Sequence, residues 1–245
     1  MKHAVLVCGI ARSGTSAVSG ALAAAGLPFG DGLKPRDWQN PNGNHEDAAL
    51  SDLNTEILAL FGMSWSTDLP LPEGWVDRPD VIAIVKRMEA EFEARFGDLP
   101  IFGLKDPRLV PLFALYARFL RDLGRQIHVI TVSRNRREVL ASIRKSGYYH
   151  RKFTVRRGRR LYRYYMTQID RLRVDPGSQH VTYDALLADP TGTVERLIAG
   201  LPMAEVGLVP DVAAGAAFID RALWRNRRPS LWSRLTAPFE QEPGA

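Results

Sequence analysis

The chain has 245 residues, of which 45% are apolar and 24% are charged, an ordinary composition for a globular protein with a core of normal size. We expect no membrane span, because no run approaches the roughly 18 apolar residues that a span requires. Cys8 is the only cysteine, which excludes an intrachain disulfide and favours a reducing compartment. The apolar run 4–11 is short and lacks a small-residue cleavage site, so we expect a cytoplasmic protein.

The net charge of +6 comes from one segment of the chain. Residues 144–173 contain eleven Lys or Arg residues and one acid, a local charge of +10 (11 − 1), so the rest carries about −4 (6 − 10). The arginines alternate with five tyrosines, which are Tyr148, Tyr149, Tyr162, Tyr164 and Tyr165. This segment can cover a bound nucleotide, hold an acidic acceptor or bind nucleic acid, or it can be a solvated basic helix with a Tyr-lined inner face.

Strand and helix patterns alternate along the chain. In chain order they predict strand 3–9, helix 15–25, loop 30–44, helix 46–61, loop 69–79, helix 80–96, strand 101–104, helix 107–123, strand 127–132, helix 136–145, helix 158–172, strand 180–183 and helix 190–199. Such alternation predicts a mostly parallel central sheet flanked by helices on both faces. We find no linker, and therefore predict a single domain over 1–235 followed by a disordered tail over 236–245.

The first loop has the pattern of a phosphate-binding loop. Arg12, Ser13, Gly14, Thr15 and Ser16 lie between the first strand and the first helix, where unpaired N–H groups and the helix dipole attract an anion. The spacing of Gly9 and Gly14 matches a Walker loop, but Thr15 stands where the Walker lysine should be. The pattern therefore favours an anion site over an ATP site, and a tight glycine turn without a ligand is the structural alternative.

A second candidate anchor follows the strongest strand. Arg134 comes at the carboxyl end of this strand, where open α/β sheets bind their ligands, and Ser142 lies eight residues later on the next helix. The two side chains can converge on one phosphate. The alternative is a helix with a solvated basic first turn.

These two segments resemble the PAPS-dependent sulfotransferases, whose donor is 3′-phosphoadenylyl sulfate (PAPS). The resemblance implies a P-loop-like, three-layer α/β fold. It also implies that residues 12–16 bind the 5′-phosphosulfate and that Arg134 and Ser142 bind the 3′-phosphate. The family's Arg-Asn/Asp-Pro run departs here, because Arg136 replaces the proline.

Three further stretches support the resemblance, which spans roughly residues 3–230. Lys105-Asp106-Pro107 is similar to a run in tyrosylprotein sulfotransferases and related bacterial proteins, and the segment from Tyr183 to Pro190 is similar to a Tyr-Glu-Asp-Leu…Asp-Pro segment. The stretch 218–228 resembles the Arg-rich end of bacterial members. By family analogy Tyr183 stacks on the adenine, although a core tyrosine is the alternative.

The chemistry of sulfuryl transfer needs a base for the acceptor proton and cations for the leaving phosphate. Glu46 and Asp106 are the candidate bases, with His45 a third candidate that we expect on the loop surface. The alternatives are a first-turn acid for Glu46 and a helix N-cap for Asp106. Lys105 and Arg12 are the candidate transition-state cations, and Arg108 can hold the substrate, the donor or an acidic neighbour.

We therefore predict a sulfotransferase that converts PAPS to 3′,5′-ADP without a metal ion. Its acceptor is expected to be a small molecule, a glycan or a phenol, and we expect neither nucleic acid nor a membrane as partner. The alternatives are a P-loop kinase or NTPase, and a non-catalytic nucleotide- or RNA-binding protein.

Overall fold

The structure is a computed structural model, and it describes residues 1–36, 42–145, 154–175 and 177–220. Four strands form one sheet in these ranges: β1 (Lys2–Cys8), β2 (Ile101–Lys105), β3 (Arg125–Ser133) and β4 (Gln179–Thr182). Their order is β2-β1-β3-β4 and every pairing is parallel. The predicted α/β fold is confirmed, with an all-parallel sheet among the described residues.

Nine α-helices are described. They are α1 (Thr15–Ala24), α2 (Ala48–Ala59), α3 (Pro79–Phe96), α4 (Phe113–Asp122), α5 (Arg136–Lys145), α6 (Val155–Leu172), α7 (Tyr183–Ala188), α8 (Pro190–Ala199) and α9 (Val212–Ala217). Short 3-10 helices cover Trp75–Asp77 and Pro107–Leu109.

The helices cover both faces of the sheet because side chains alternate along each strand. On β1, Leu6 and Cys8 belong to a core shared with α2 to α6, whereas Val5 and Val7 belong to a second core shared with α1, α7 and α8. All four side chains have no exposed surface. The three layers that result match the predicted architecture.

Several element boundaries differ from the predictions. Helix α2 begins at Ala48 and not at residue 46, because the side chain of Asp47 accepts a hydrogen bond from Leu50 N and caps the helix. Residues 107–123 form a 3-10 turn followed by α4 and not one helix, and Asp106 caps the turn. The short helix α9 is absent from the predictions.

Some predictions lie wholly or partly outside the described residues. Among them are Tyr148 and Tyr149 of the basic segment, the stretch 221–228 and the tail 236–245. The single domain over 1–235 stays a prediction.

Candidate functional site

The carboxyl ends of all four strands meet at one edge of the sheet. In the register of the sheet, Val7 lies beside both Lys105 and Ile130, and Ser133 lies beside Thr182. The chain therefore leaves this edge four times, and each exit begins a segment that the sequence singled out: 9–16, 105–108, 134–142 and 183–190. Ligands of open parallel sheets bind at this edge.

The phosphate-binding loop presents an uncapped helix end. Gly14 precedes α1 with a φ of 105°, no side chain of the described residues caps the helix, and no acid lies in its first turn. The hydroxyl of Ser13 is fully buried and has no hydrogen-bond partner in the described part of the chain. An uncapped helix N-terminus beside a buried hydroxyl without a partner suits an anion.

Gly9 lets the loop turn tightly against β3. A Cβ atom at this position would lie 2.7 Å from Thr15 Cγ2, 2.8 Å from Ser13 Oγ and 2.9 Å from the carbonyl oxygen of Val132. Real Cβ atoms do not approach heavy atoms this closely, so the turn requires glycine. The side chains of Ser13 and Thr15 consequently pack beneath the loop, and both residues are buried.

Arg12 joins the two predicted anchors directly. Its backbone is left-handed, with a φ of 70°, and its Nε donates a hydrogen bond of 3.0 Å to Ser142 Oγ. The phosphate-binding loop and α5 are thus in contact, although 130 residues separate Arg12 from Ser142 in the chain. Ser16, at the start of α1, reaches the other way and donates to the carbonyl oxygen of Asn44 at 3.4 Å.

Arg134 is held by a residue that the sequence analysis missed. Its Nε donates to Glu138 Oε2 at 2.9 Å, and its Nη2 lies 2.8 Å from the same oxygen. Both side chains are buried, with 7% and 8% exposed. Part of the positive charge predicted for a 3′-phosphate is therefore balanced within the protein. Glu138 lies four residues after Arg134, in the first turn of α5, and this spacing is the signal that could have indicated the pair.

Tyr183 packs between Gly14 and Arg134. The guanidinium carbon of Arg134 lies 4.4 Å from the centre of the tyrosine ring, and a Cβ at Gly14 would overlap that ring. Tyr183 is 6% exposed and belongs to the core beside α1, and its burial raises the pKa of the phenol. The structure thus places a core tyrosine at the site edge, and adenine stacking stays a prediction.

Glu46 lies among three cations. Its Oε1 accepts a hydrogen bond of 2.7 Å from Lys105 Nζ, while Oε2 lies 3.5 Å from Lys34 Nζ and 4.0 Å from Arg108 Nη1. Burial alone would raise the pKa of Glu46, but the charges of Lys105, Lys34 and Arg108 outweigh it and hold the pKa below its ordinary value. The carboxylate is ionised at neutral pH and can accept a proton, as a base must.

Asp106 lies at the centre of a hydrogen-bond network. Its Oδ1 accepts from Arg108 N and Arg108 Nη1, both at 2.8 Å, and its Oδ2 accepts from Asn54 Nδ2 at 3.1 Å. Tyr116 donates to Asn54 Oδ1 at 2.9 Å. Ser51 Oγ accepts from Arg108 Nη1 at 2.9 Å and from Lys34 Nζ. The predicted N-cap is therefore present, and Asp106 also holds the side chain of Arg108.

His45 is not the surface residue that we expected. Its ring packs edge-on between Phe29 and Phe218, and its backbone is left-handed, with a φ of 55°. Burial, reinforced by the charge of Lys105, lowers the pKa of His45 to about 4. The ring is therefore neutral at pH 7.

Other residues of this site escaped the sequence analysis. Ser51 and Asn54 are polar residues on the buried face of α2, and each is 1% exposed. Two buried polar residues spaced by three on one helix face are a signal for a hydrogen-bonded site. Lys34 and Tyr116 carried no comparable signal.

The described residues contain neither a candidate metal cluster nor a candidate membrane span. In the described ranges, no group of three or more His, Cys, Asp or Glu residues could hold a metal ion. No helix among the same residues is both long and apolar enough to cross a membrane.

Comparisons with known proteins find similarity in structure alone. No protein-family model matches the chain, and no curated protein matches its sequence. Among solved structures, the sulfotransferase STF1 from Mycobacterium tuberculosis H37Rv superposes with a TM-score of 0.48 at 17% identity, over 89% of this chain and 71% of that one. Retinol dehydratase, solved in complex with androsterone and the inactive cofactor PAP, superposes with a TM-score of 0.43 at 13% identity, over 88% of this chain and 62% of that one.

Proposed function

We propose that the protein is a sulfotransferase that uses PAPS to sulfate a hydroxyl or amine group of a small molecule, glycan or phenol. The observation that carries this proposal is the 3.0 Å contact between Arg12 and Ser142. It joins a phosphate-binding loop to a second anion-binding segment, as a donor with two phosphate-bearing ends requires. The resemblance of both segments to the PAPS-dependent sulfotransferases supports the same conclusion.

The residues at the sheet edge fit the two ends of this donor. The buried Ser13 hydroxyl and the uncapped start of α1 would hold the phosphosulfate end, with Gly14, Thr15 and Ser16 supplying backbone N–H groups. Arg134 and Ser142 would hold the 3′-phosphate, and Tyr183 would contact the adenine. Because Arg134 is already paired with Glu138, we expect the nucleotide to share the guanidinium and not to meet a free charge.

The chemistry follows from the charges around Glu46. When bound, PAPS supplies a sulfuryl group whose bond to the 5′-phosphate oxygen breaks as the acceptor oxygen bonds to sulfur, which leaves 3′,5′-ADP. Glu46 takes the acceptor's proton. Lys105, whose Nζ lies 2.7 Å from Glu46 Oε1, and Arg12 stabilise the negative charge that develops on the phosphate. Thr15 replaces the Walker lysine, and this disfavours a kinase or NTPase.

Two properties of the proposed enzyme stay predictions from the sequence alone. A metal-independent reaction is expected because no step above needs a Lewis acid. A cytoplasmic location is expected from the cysteine content. Burial raises the pKa of the single thiol, Cys8, to about 12, so we assign it no part in the chemistry.

The proposal is tested by transfer of label from PAPS to a panel of phenols, sugars and small alcohols. With an acceptor in hand, Glu46→Gln should lower the transfer rate by about 10²- to 10⁴-fold, the usual scale of general-base catalysis, while 3′,5′-ADP binding stays near wild type. Glu56→Gln changes an exposed glutamate of α2 that is paired with Arg87 of α3, and as the matched control it should leave the rate unchanged.

Two outcomes would contradict the proposal. Full activity of Glu46→Gln would remove Glu46 from the base role and leave Asp106 as the candidate. Binding of 3′,5′-ADP without labelled product from any acceptor class would favour a nucleotide-binding protein without this activity.

A further inference from the structure

The guanidinium of Arg108 lies between two carboxylates and is hydrogen-bonded to only one of them. Arg108 Nη1 donates to Asp106 Oδ1 at 2.8 Å and to Asp106 Oδ2 at 3.0 Å. The same nitrogen is 4.0 Å from Glu46 Oε2, which is too long for a hydrogen bond. Since the side chains of Arg108 and Glu46 are each 12% exposed and that of Asp106 is 6% exposed, water screens these charges little.

Asp106 is itself held by buried side chains of two helices. Asn54 donates to Asp106 Oδ2 at 3.1 Å, and Tyr116 donates to Asn54 at 2.9 Å, so the carboxylate is tied to α2 and α4. Asn54 and Tyr116 are each 1% exposed. Ser51 takes a further hydrogen bond from Arg108 Nη1 at 2.9 Å. The arginine is thus held in place by the buried side chains of Asp106 and Ser51.

The position of Arg108 matters because Glu46 already faces two other cations. Lys105 donates to Oε1, and Lys34 lies 3.5 Å from Oε2. The chain neighbours add little charge, since Asp47 is paired with Arg95 and His45 is neutral at pH 7. If Arg108 closed the gap to Glu46, a third direct contact would weaken the affinity of this carboxylate for a proton. A base with lower proton affinity is a poorer general base.

We propose that Asp106 is a positioning residue that holds Arg108 away from Glu46 and so preserves the proton affinity of the base. This inference rests on the proposed function, in which Glu46 is the base. It assigns Asp106, Asn54 and Tyr116 to one buried network that sets the distance between Arg108 and Glu46.

The test is a carbon-13 NMR titration of the Glu46 side-chain carboxyl in the intact protein without nucleotide or acceptor, with the resonance assigned by Glu46→Gln. Asn is as good an N-cap as Asp, so Asp106→Asn should keep the turn while removing the charge that holds Arg108. We expect the proton-binding constant of Glu46 to fall roughly tenfold in Asp106→Asn, seen as a smaller protonated fraction at pH 4. Asp77→Asn, which removes an exposed carboxylate paired with Arg118, should leave the titration unchanged.

A second variant separates movement of the arginine from loss of a nearby negative charge. Arg108→Gln should shift the titration of Glu46 to higher pH, because a cation is removed. In the double variant Asp106→Asn/Arg108→Gln, the lowering caused by Asp106→Asn should disappear, since no arginine is left to approach Glu46.

Three results would overturn the inference. They are an unchanged Glu46 titration in folded Asp106→Asn, an unchanged titration in Arg108→Gln, and a full lowering that persists in the double variant. An unchanged titration of Glu46 in Arg108→Gln would overturn the inference even if Asp106→Asn does not fold. A protein that showed the expected titrations but failed to bind 3′,5′-ADP would overturn the proposed function and leave the coupling among these three residues standing.

Discussion

Arg134, the cation proposed for the 3′-phosphate, is held in one orientation by its neighbours. Its guanidinium is bonded to Glu138 and covers the ring of Tyr183 at 4.4 Å, so its orientation is set before any ligand arrives. Such preorganisation lowers the entropic cost of binding a ligand. The same contacts mean that Arg134 contributes to stability as well as to the site.

The first prediction concerns the loss of this side chain. Arg134→Ala should weaken 3′,5′-ADP binding roughly ten- to hundredfold, because a charge-assisted contact is worth about 1.5–3 kcal/mol. Isothermal titration calorimetry measures the change. Arg137→Ala, which removes an exposed arginine in the first turn of α5, is the control and should bind like wild type. Wild-type affinity in folded Arg134→Ala would place the 3′-phosphate elsewhere.

His45 provides a prediction about pH. Its neutral form is favoured in the folded protein, where the pKa is about 4 against 6.5 in the unfolded chain. Between pH 4 and pH 6.5 the unfolded chain therefore binds more protons than the folded protein. The contribution of His45 to the free energy of unfolding is complete above about pH 6.5 and is lost as the pH falls toward 4.

The matched variant is His45→Asn, because asparagine tolerates the left-handed backbone and does not titrate in this range. Urea unfolding measures how much the free energy of unfolding falls between pH 7 and pH 4. This fall should be smaller in the variant than in the wild type by up to about 2 kcal/mol. The difference is less than the pKa shift alone would give, because the ring of His45 is partly exposed. An identical pH dependence in both proteins would mean that His45 is not protonated on unfolding.

At the level of single residues, the sequence indicated the charged groups but not their partners. Arg12, Arg134 and Ser142 were recognisable from their positions after strands and from the family resemblance. The pairing of Arg12 with Ser142 depends on the parallel pairing of β1 with β3, which brings the segments after these strands together, and no local spacing encodes a contact between residues 130 positions apart. Lys34 was unpredictable for the same reason, because it reaches Glu46 from a loop.

The predicted phosphate-binding loop is the element on which the proposed donor site depends most. Gly14 has a φ of 105°, and a Cβ there would overlap the ring of Tyr183. Gly26, just after α1, has a nearly equal φ of 103°, but its nearest neighbour would be the carbonyl oxygen of Val209 at 4.0 Å. The two glycines thus share the backbone strain and differ in the space around them.

We therefore predict unequal effects of alanine at the two positions. Both variants should lose about 1 kcal/mol of unfolding free energy from the backbone alone. Gly14→Ala should lose a further 1–3 kcal/mol or so, because the ring of Tyr183 must move, and it should also weaken 3′,5′-ADP binding. If both variants lost the same unfolding free energy and bound the nucleotide equally well, the position of the Tyr183 ring would not depend on Gly14.

Elements with a strong local signal were predicted well. The ranges of α5 and α8 agree with the predictions, and β1 is displaced by a single residue. The predicted start of α2 was wrong because the side chain of Asp47 caps the helix by accepting a hydrogen bond from Leu50 N, which leaves Glu46 before the helix. Helix α9 is Ala-rich and short, and it owes its place to packing against α1 and α8.

Helix α6 begins with basic residues whose position the local sequence does not explain. Arg156 and Arg157 lie in its first turn, where the helix dipole favours acids and no acid is present. Its inner face is fixed at the site edge, since Tyr162 donates to the carbonyl oxygen of Arg134 at 2.8 Å and Tyr165 to that of Trp65 at 2.8 Å. Tyr162 and Tyr165 are thus turned inward, which agrees with the alternative of a Tyr-lined inner face in the described part of the segment.

At the scale of the whole molecule, the function proposed here depends on the convergence of four strand ends. The sequence predicted the strands and a parallel sheet, and this already implies a common edge. It did not predict the order β2-β1-β3-β4, which sets the segment after β1 between those after β2 and β3. This order brings Arg12 to Ser142 and Lys105 to the same edge, because β1 pairs with both neighbours.

The central claim is that this edge binds one nucleotide through two separate anionic groups. The most direct measurement is the melting temperature of the protein with 3′,5′-ADP, with 5′-AMP and with ATP and Mg²⁺, each at the same concentration. We predict that 3′,5′-ADP raises the melting temperature far more than 5′-AMP, without Mg²⁺, because only the former engages Arg134 and Ser142 together with the phosphate-binding loop. Equal shifts from 3′,5′-ADP and 5′-AMP, or a larger shift from ATP with Mg²⁺, would contradict it.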